Sequence, residues 1–248
     1  MNYTAQEELR KRQWRAIEML AGHDLLAENY WDEGRGARWI LGTSGTFTAR
    51  CEIIAGIGGS LIVHGDFEVV RFGHYSDHQD AFNRLCWMGL CRDVDYYVAQ
   101  KATIGMGRGR DSIRDYDEDL AIAQIKDFIK DYEHECRPAA AAVLTEALEY
   151  TENEQTLREF LYQRGSQWEL WDHSFGEVLD YQVVIAHVAL NRTACLLMER
   201  HGPAGPPACL PKDRTTSASN LRPPLAPESP RELMAAEIRR VFLRSPSA

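Results

Sequence analysis

The chain has no CxxC pair, no unbroken apolar run of bilayer-spanning length, and no helix-turn-helix, zinc-knuckle or RRM signature. Its six cysteines (Cys51, Cys86, Cys91, Cys136, Cys195 and Cys209) are scattered through 248 residues. That pattern reads as reduced thiols and argues against a disulfide framework. The longest nearly unbroken apolar stretch, Val183 to Leu190, is far short of the ~20 residues a membrane helix needs. The start, Met1 to Glu7, has neither the basic nor the apolar segment of a signal peptide. Together these absences predict a soluble, cytoplasmic protein with no membrane contact. No serine sits in a GxSxG elbow and no cysteine in a recognisable catalytic setting, so nothing compels an enzyme.

What is present is ordinary for a globular body: 44% hydrophobic and 26% charged residues. The net charge of −9 is unevenly spread. Between Asp111 and Asp180 eighteen acids face six bases, a balance of −12, which leaves about +3 for the rest. Such a field repels nucleic acid and attracts a basic protein surface, although solvated helix faces alone would also explain it. Glu146, Glu149, Glu152 and Glu154 are the candidate partner-binding acids. Sequence-specific contact with nucleic acid is not expected.

The pattern predicts an α+β protein, with an antiparallel meander of about four strands near the N-terminus packed on a mainly helical body. Thr4-Ala5-Gln6-Glu7 is a capping box opening a first helix whose stripe is Leu9, Trp14, Ile17 and Leu20. Leu25 to Trp31 reads as another helical turn or two. In Thr46 to Ile53 the apolar Phe47, Ala49, Cys51 and Ile53 alternate with polar residues, the period of a half-buried strand. Glycine turns at 56–59 and at Gly65-Asp66 separate two further strands, Ser60 to His64 and Phe67 to Phe72. Helices are then expected over Asp80 to Met88, Val94 to Ile104, Asp117 to Glu135, Pro138 to Tyr150 and Asn153 to Gln163. A last body helix should open with Ser174-Phe175-Gly176-Glu177 and run to about Arg200, with His187 as a satisfied core histidine.

Eight of the ten prolines fall between Pro203 and Pro230. The expected organisation is therefore an α+β region (1–110), a helical region that forms one continuous body with it (111–201), a Pro-rich linker (202–229) and a C-terminal amphipathic helix (230–244). Met234, Ile238 and Phe242 would give that helix its docking face.

Several constellations could carry chemistry. His74, His78, Cys86 and Cys91 offer zinc-type ligands at H-x3-H-x7-C-x4-C, although core thiols and loop histidines account for the same residues. No other cofactor is implied. His64-Gly65-Asp66 and Asp77-His78 set acids beside imidazoles, so a metal-dependent or hydrolytic enzyme using the His64–Cys91 region is the alternative function. Gly105-x-Gly107-x-Gly109 follows a helix and carries Arg108 and Arg110, which makes it a weak phosphate loop. Asp93-Val94-Asp95-Tyr96-Tyr97 is the most recognition-like segment: acids at a helix start, then two adjacent tyrosines that cannot both face the core.

Cys86-Trp87-Met88-Gly89, Asp93 to Met106 and the preceding Gly65-Asp66 and Phe72-Gly73-His74 resemble uncharacterised accessory proteins of temperate bacteriophages, over about residues 38 to 106. The resemblance implies a bacterial host cytoplasm and a host protein or ribonucleoprotein complex as partner. An anti-CRISPR-like inhibitor of a CRISPR effector is one such role and a structural phage component another. It supplies no catalytic residues.

Overall fold

The computed structural model describes residues 3–45, 50–56, 58–73, 80–105 and 113–206. Helix α1 (Tyr3–Leu20) leads into a six-stranded antiparallel sheet whose spatial order follows the chain: β1 (Asp24–Trp31), β2 (Gly36–Gly42), β3 (Cys51–Ala55), β4 (Leu61–His64), β5 (Val70–Phe72) and β6 (Ala102–Ile104). Between β5 and β6 the chain leaves the sheet to form α2 (Ala81–Gly89), a π-helical turn (Val94–Val98) and a short α3 (Ala99–Lys101). A second ladder pairs β7 (Arg114–Tyr116) with β8 (Glu177–Leu179) and brackets α4 (Glu118–His134), α5 (Pro138–Ala147) and α6 (Glu154–Gly165). Helix α7 (Tyr181–His201) closes the body.

The α+β expectation holds, with six strands in the sheet where about four were expected. In β3 the alternation is as read: Cys51, Ile53 and Ala55 are buried, whereas Phe47 and Ala49 lie outside the described residues. Three segments expected to be helical are strands. Leu25 to Trp31 pairs with β2 as an edge strand, and a bulge between Leu25 and Ala27 breaks the period that would have revealed it. Ala102–Ile104 leaves its helical run to pair with β5. The Ser174–Glu177 box does not cap α7: Gly176 turns at φ +78°, Glu177–Leu179 pairs with β7, and the Asp180 side chain caps α7 by accepting from the Gln182 amide at 2.6 Å.

The larger core lies between the sheet and α1, α2 and α7, and includes Trp39, Phe72, Phe82, Leu85 and Val184. Burying a side chain of this size stabilises by about 1.5–3 kcal/mol. In α1 the inward stripe is Leu9, Ala16 and Leu20; Trp14 points to solvent, bonded to Glu18, contrary to expectation. Helix α7 is long and apolar enough to cross a membrane by composition, and 67% of that stretch is buried inside the fold. His187 is buried there as expected, its Nε2 3.1 Å from the Met88 carbonyl at the end of α2. Asn191, one helical turn on, donates to the Gly89 carbonyl at 2.8 Å. Asn191 thus meets the Gly89 carbonyl at the end of α2, and His187 adds a second contact to the Met88 carbonyl, which also accepts from the Cys91 amide at 3.2 Å.

A smaller core joins α4, α5 and α6 through Ile125, Leu144, Phe160, Leu161 and Phe175. Where the two cores meet, Arg12 of α1 donates to Asp115 of β7 (2.5 Å) and to the Leu179 carbonyl of β8 (3.1 Å).

Candidate functional site

Two clefts bring exposed aromatic rings together with charged side chains. The first lies between α1 and the π-helical turn. Asp93 caps that turn, its carboxylate accepting from the Tyr96 amide at 3.1 Å. Val94 and Val98 anchor the turn in the core, which leaves Tyr96 and Tyr97 both pointing outward. Of two adjacent tyrosines at least one was expected outside; the wide π turn exposes both. Their rings continue to Trp87 on the outer face of α2: the centroids are 5.9 Å apart for Tyr96–Tyr97 and 5.8 Å for Trp87–Tyr97, both edge-to-face. Trp87, Tyr96 and Tyr97 are 50%, 59% and 43% exposed. Tyr96 also walls a groove of about 580 Å³ together with Gln6, Arg10, Gln13, Arg92 and Arg114. Within that groove Arg114 binds Asp95 at 3.0 Å.

The second cleft, about 390 Å³, lies between α6 and the segment after it and is lined by Arg158, Glu159, Tyr162, Trp171, Asp172 and His173. Tyr162 and Trp171 are 66% and 48% exposed and meet edge-to-face at 6.4 Å. Arg158 is held by Glu154 at 2.9 Å and by a tight contact with Glu177. His173 packs on Phe128 at 4.6 Å, and partial burial lowers its pKa, which favours the neutral ring. Neither Tyr162 nor Trp171 stood out in the sequence. The one available signal was that Tyr162 falls off the Leu157, Phe160, Leu161 stripe of α6.

The four candidate acids border this helical layer but are not equivalent. Glu146 pairs with Arg164 at 3.4 Å and Glu154 with Arg158. Glu149 and Glu152 are exposed and have no basic partner among the described residues.

The zinc-type ligands are only partly described. His74 and His78 lie outside the described residues, as do Arg108, Arg110 and the tail residues Met234, Ile238 and Phe242. Cys86 is buried in the larger core, and Cys91 packs against it with its Sγ 3.7 Å from the Asp93 carbonyl. Burial raises the Cys91 thiol pKa. Among the described residues no group of three or more His, Cys, Asp or Glu side chains is arranged to hold a metal ion. His64 faces Glu52 across the β3–β4 ladder at 3.5 Å instead of pairing with Asp66, and Glu52 is itself gripped by Arg38. The Arg38 bond lowers the Glu52 pKa, so that carboxylate is a poor proton acceptor.

No protein-family profile, curated protein or solved structure matches the chain.

Proposed function

We propose that the chain is a non-enzymatic binding protein that engages a basic surface of a host protein or ribonucleoprotein complex through its acidic helical region. The observation that carries this reading is the Tyr162–Trp171 cleft, two open aromatic rings beside Glu159 and Asp172 in the −12 segment of the chain. Its one arginine is already engaged by Glu154 and Glu177, so the cleft offers π faces and carboxylates, the surroundings that favour a lysine or arginine side chain. Glu149 and Glu152 add uncompensated charge that steers such a partner. The resemblance of residues 38–106 to temperate-phage accessory proteins points the search to a bacterial host, with a CRISPR effector among the complexes to try.

Affinity purification from that host identifies the partner, and the surface is then tested directly. Trp171→Ala, and Glu149→Lys with Glu152→Lys, should each weaken the complex at least tenfold. Reversal of Glu146 and Glu154 should add less, because each already has an internal arginine. The affinity should fall as salt rises, since exposed charges are screened beyond ~10 Å at 0.1 M. Binding that ignores both salt and charge reversal would rule the acidic surface out. A chain ending at His201 tests whether Met234, Ile238 and Phe242 contribute.

A further inference from the structure

We propose that the Tyr162–Trp171 cleft is a pocket for one arginine side chain of the partner, and that it selects arginine over lysine. The inference rests on the reading of this cleft as the contact to a basic surface, and adds which side chain of that surface enters it.

The local backbone builds the cleft. Glu169 adopts a left-handed conformation at φ 58°, which residues other than glycine rarely take and which concentrates at functional sites. The turn it makes sends Leu170 inward, fully buried in the smaller core, and leaves Trp171 outside against Tyr162. Gly165 at the end of α6 makes room for that insertion: a Cβ there would stand 2.8 Å from the Leu170 Cβ. The two rings meet at 73°, so two π surfaces form a corner that is open to solvent.

The charge around the corner is negative. Arg158, the one arginine of the cleft, is turned to Glu154 and Glu177. The side chain of Asp172 makes no hydrogen bond or ion pair among the described residues, and Glu159 receives one bond, from Gln155 at 2.9 Å. One guanidinium against four carboxylates (Glu154, Glu159, Asp172 and Glu177) leaves a balance of −3. His173 adds no opposing charge, because partial burial lowers its pKa. A cation is therefore favoured, and the shape of the site chooses which. An ammonium is strongly hydrated, and in so open a cleft it keeps its water. A guanidinium is weakly hydrated, stacks flat on an aromatic face, and turns paired N–H donors on its edge toward a carboxylate. A π face with the unpaired Asp172 next to Trp171 suits that plane. An anion would be repelled, and a neutral apolar ligand would desolvate the carboxylates without meeting them.

The test is an NMR titration of the isotope-labelled full chain with N-acetyl-arginine methylamide, followed on the Trp171 indole N–H resonance, which Trp171→Phe identifies. The arginine compound should bind with a Kd on the order of 1 mM. The lysine analogue should bind at least about threefold more weakly, and the uncharged citrulline analogue not measurably. Trp171→Ala, followed on the α6 amides, should cost about two- to fivefold, the worth of one exposed cation–π contact. Asp172→Asn should narrow the difference between arginine and lysine, while Tyr162→Phe keeps it. The dispersion of each spectrum checks that the variant is folded. Equal binding of the arginine and lysine compounds would overturn the selection and leave the reading of the cleft as a contact to a basic surface intact. A folded chain that binds neither would overturn the pocket, whereas salt and charge reversal in the complex judge that wider reading separately. Tighter binding of tetramethylammonium would also overturn the proposal and assign the corner to a methylated ammonium. If replacing Arg231, Arg239, Arg240 and Arg244 by Gln in the full chain moves the Trp171 resonance without added ligand, the occupant is the chain's own tail and the partner's arginine is overturned.

Discussion

Replacing Gly89 with alanine should lower the stability of the fold by about 2–4 kcal/mol. Gly89 ends α2 where that helix crosses α7. A Cβ there would stand 2.8 Å from the carbonyl carbon and oxygen of Leu190 and 2.9 Å from the Asn191 amide nitrogen. These are main-chain atoms inside a helix, so no side chain can rotate away and the two helices must separate. Separation also stretches the bonds from His187 to Met88 and from Asn191 to Gly89. Each is worth about 1 kcal/mol, and more if the carbonyl is left buried and unmet. Gly22→Ala is the control: nothing lies within 4 Å of its added carbon, and its backbone is not in the left-handed region. That variant should be neutral or stabilised by up to about 1 kcal/mol. Urea denaturation of the two variants measures the contrast, and equal stabilities would mean that the α2–α7 approach is not tight.

Asp180→Asn should raise stability at pH 7.5 and change the shape of the pH–stability curve. Burial pushes the Asp180 carboxyl up to about 6; the neighbouring Asp115 adds to this, while the Gln182 amide and Arg12 oppose it. Between pH 3.8 and 6 the folded chain holds a proton that the unfolded chain has released, so stability falls as pH rises through that window. The shift corresponds at most to about 3 kcal/mol, reduced to about 1–2 because the site is half open to water. Asparagine keeps an oxygen for the Gln182 amide and removes the charge. His187 acts in the opposite direction. Burial lowers its pKa to about 4, against the smaller raising effect of the Met88 carbonyl. As pH falls from 6.5 to 4 the unfolded chain takes up a proton that the folded chain refuses, and about 3 kcal/mol is lost. In the native chain the two slopes oppose each other between pH 4 and 6. Asp180→Asn should leave the histidine slope alone, visible as stability rising steadily from pH 4 to 6.5. Thermal melts across pH 4 to 8 are the measurement, and parallel curves for the two proteins would refute this account.

The Asp180 site also shows why some features could not be read in advance. Arg12, Asp115 and Asp180 are far apart along the chain, and only the packing of α1 against the β7–β8 ladder brings them together. The same holds for the groove residues Arg10, Arg92 and Arg114. The tyrosine pair was legible, because two neighbouring side chains can rarely share one buried face. Trp171 was not, because its exposure depends on which residues of the smaller core fill the space beneath it.

The sequence alone determined the α+β class, the central meander and most helix limits. Those signals act within a few residues: Asp80, Asp117 and Asn153 cap the helices that follow them, Pro138 opens another, and alternation marks β3. It also placed His187 in the core, since the apolar residues around it leave no solvent face. Tertiary structure alone decided that residues 24–31, 102–104 and 177–179 are strands. A strand's hydrogen bonds come from a partner, and for β8 that partner lies more than sixty residues earlier. It decided as well that α1 turns Trp14 outward and Ala16 inward, because which side of the helix is covered depends on the core it shares with α7 and the sheet. Short-range chemistry wrote the elements; long-range packing chose the faces they show.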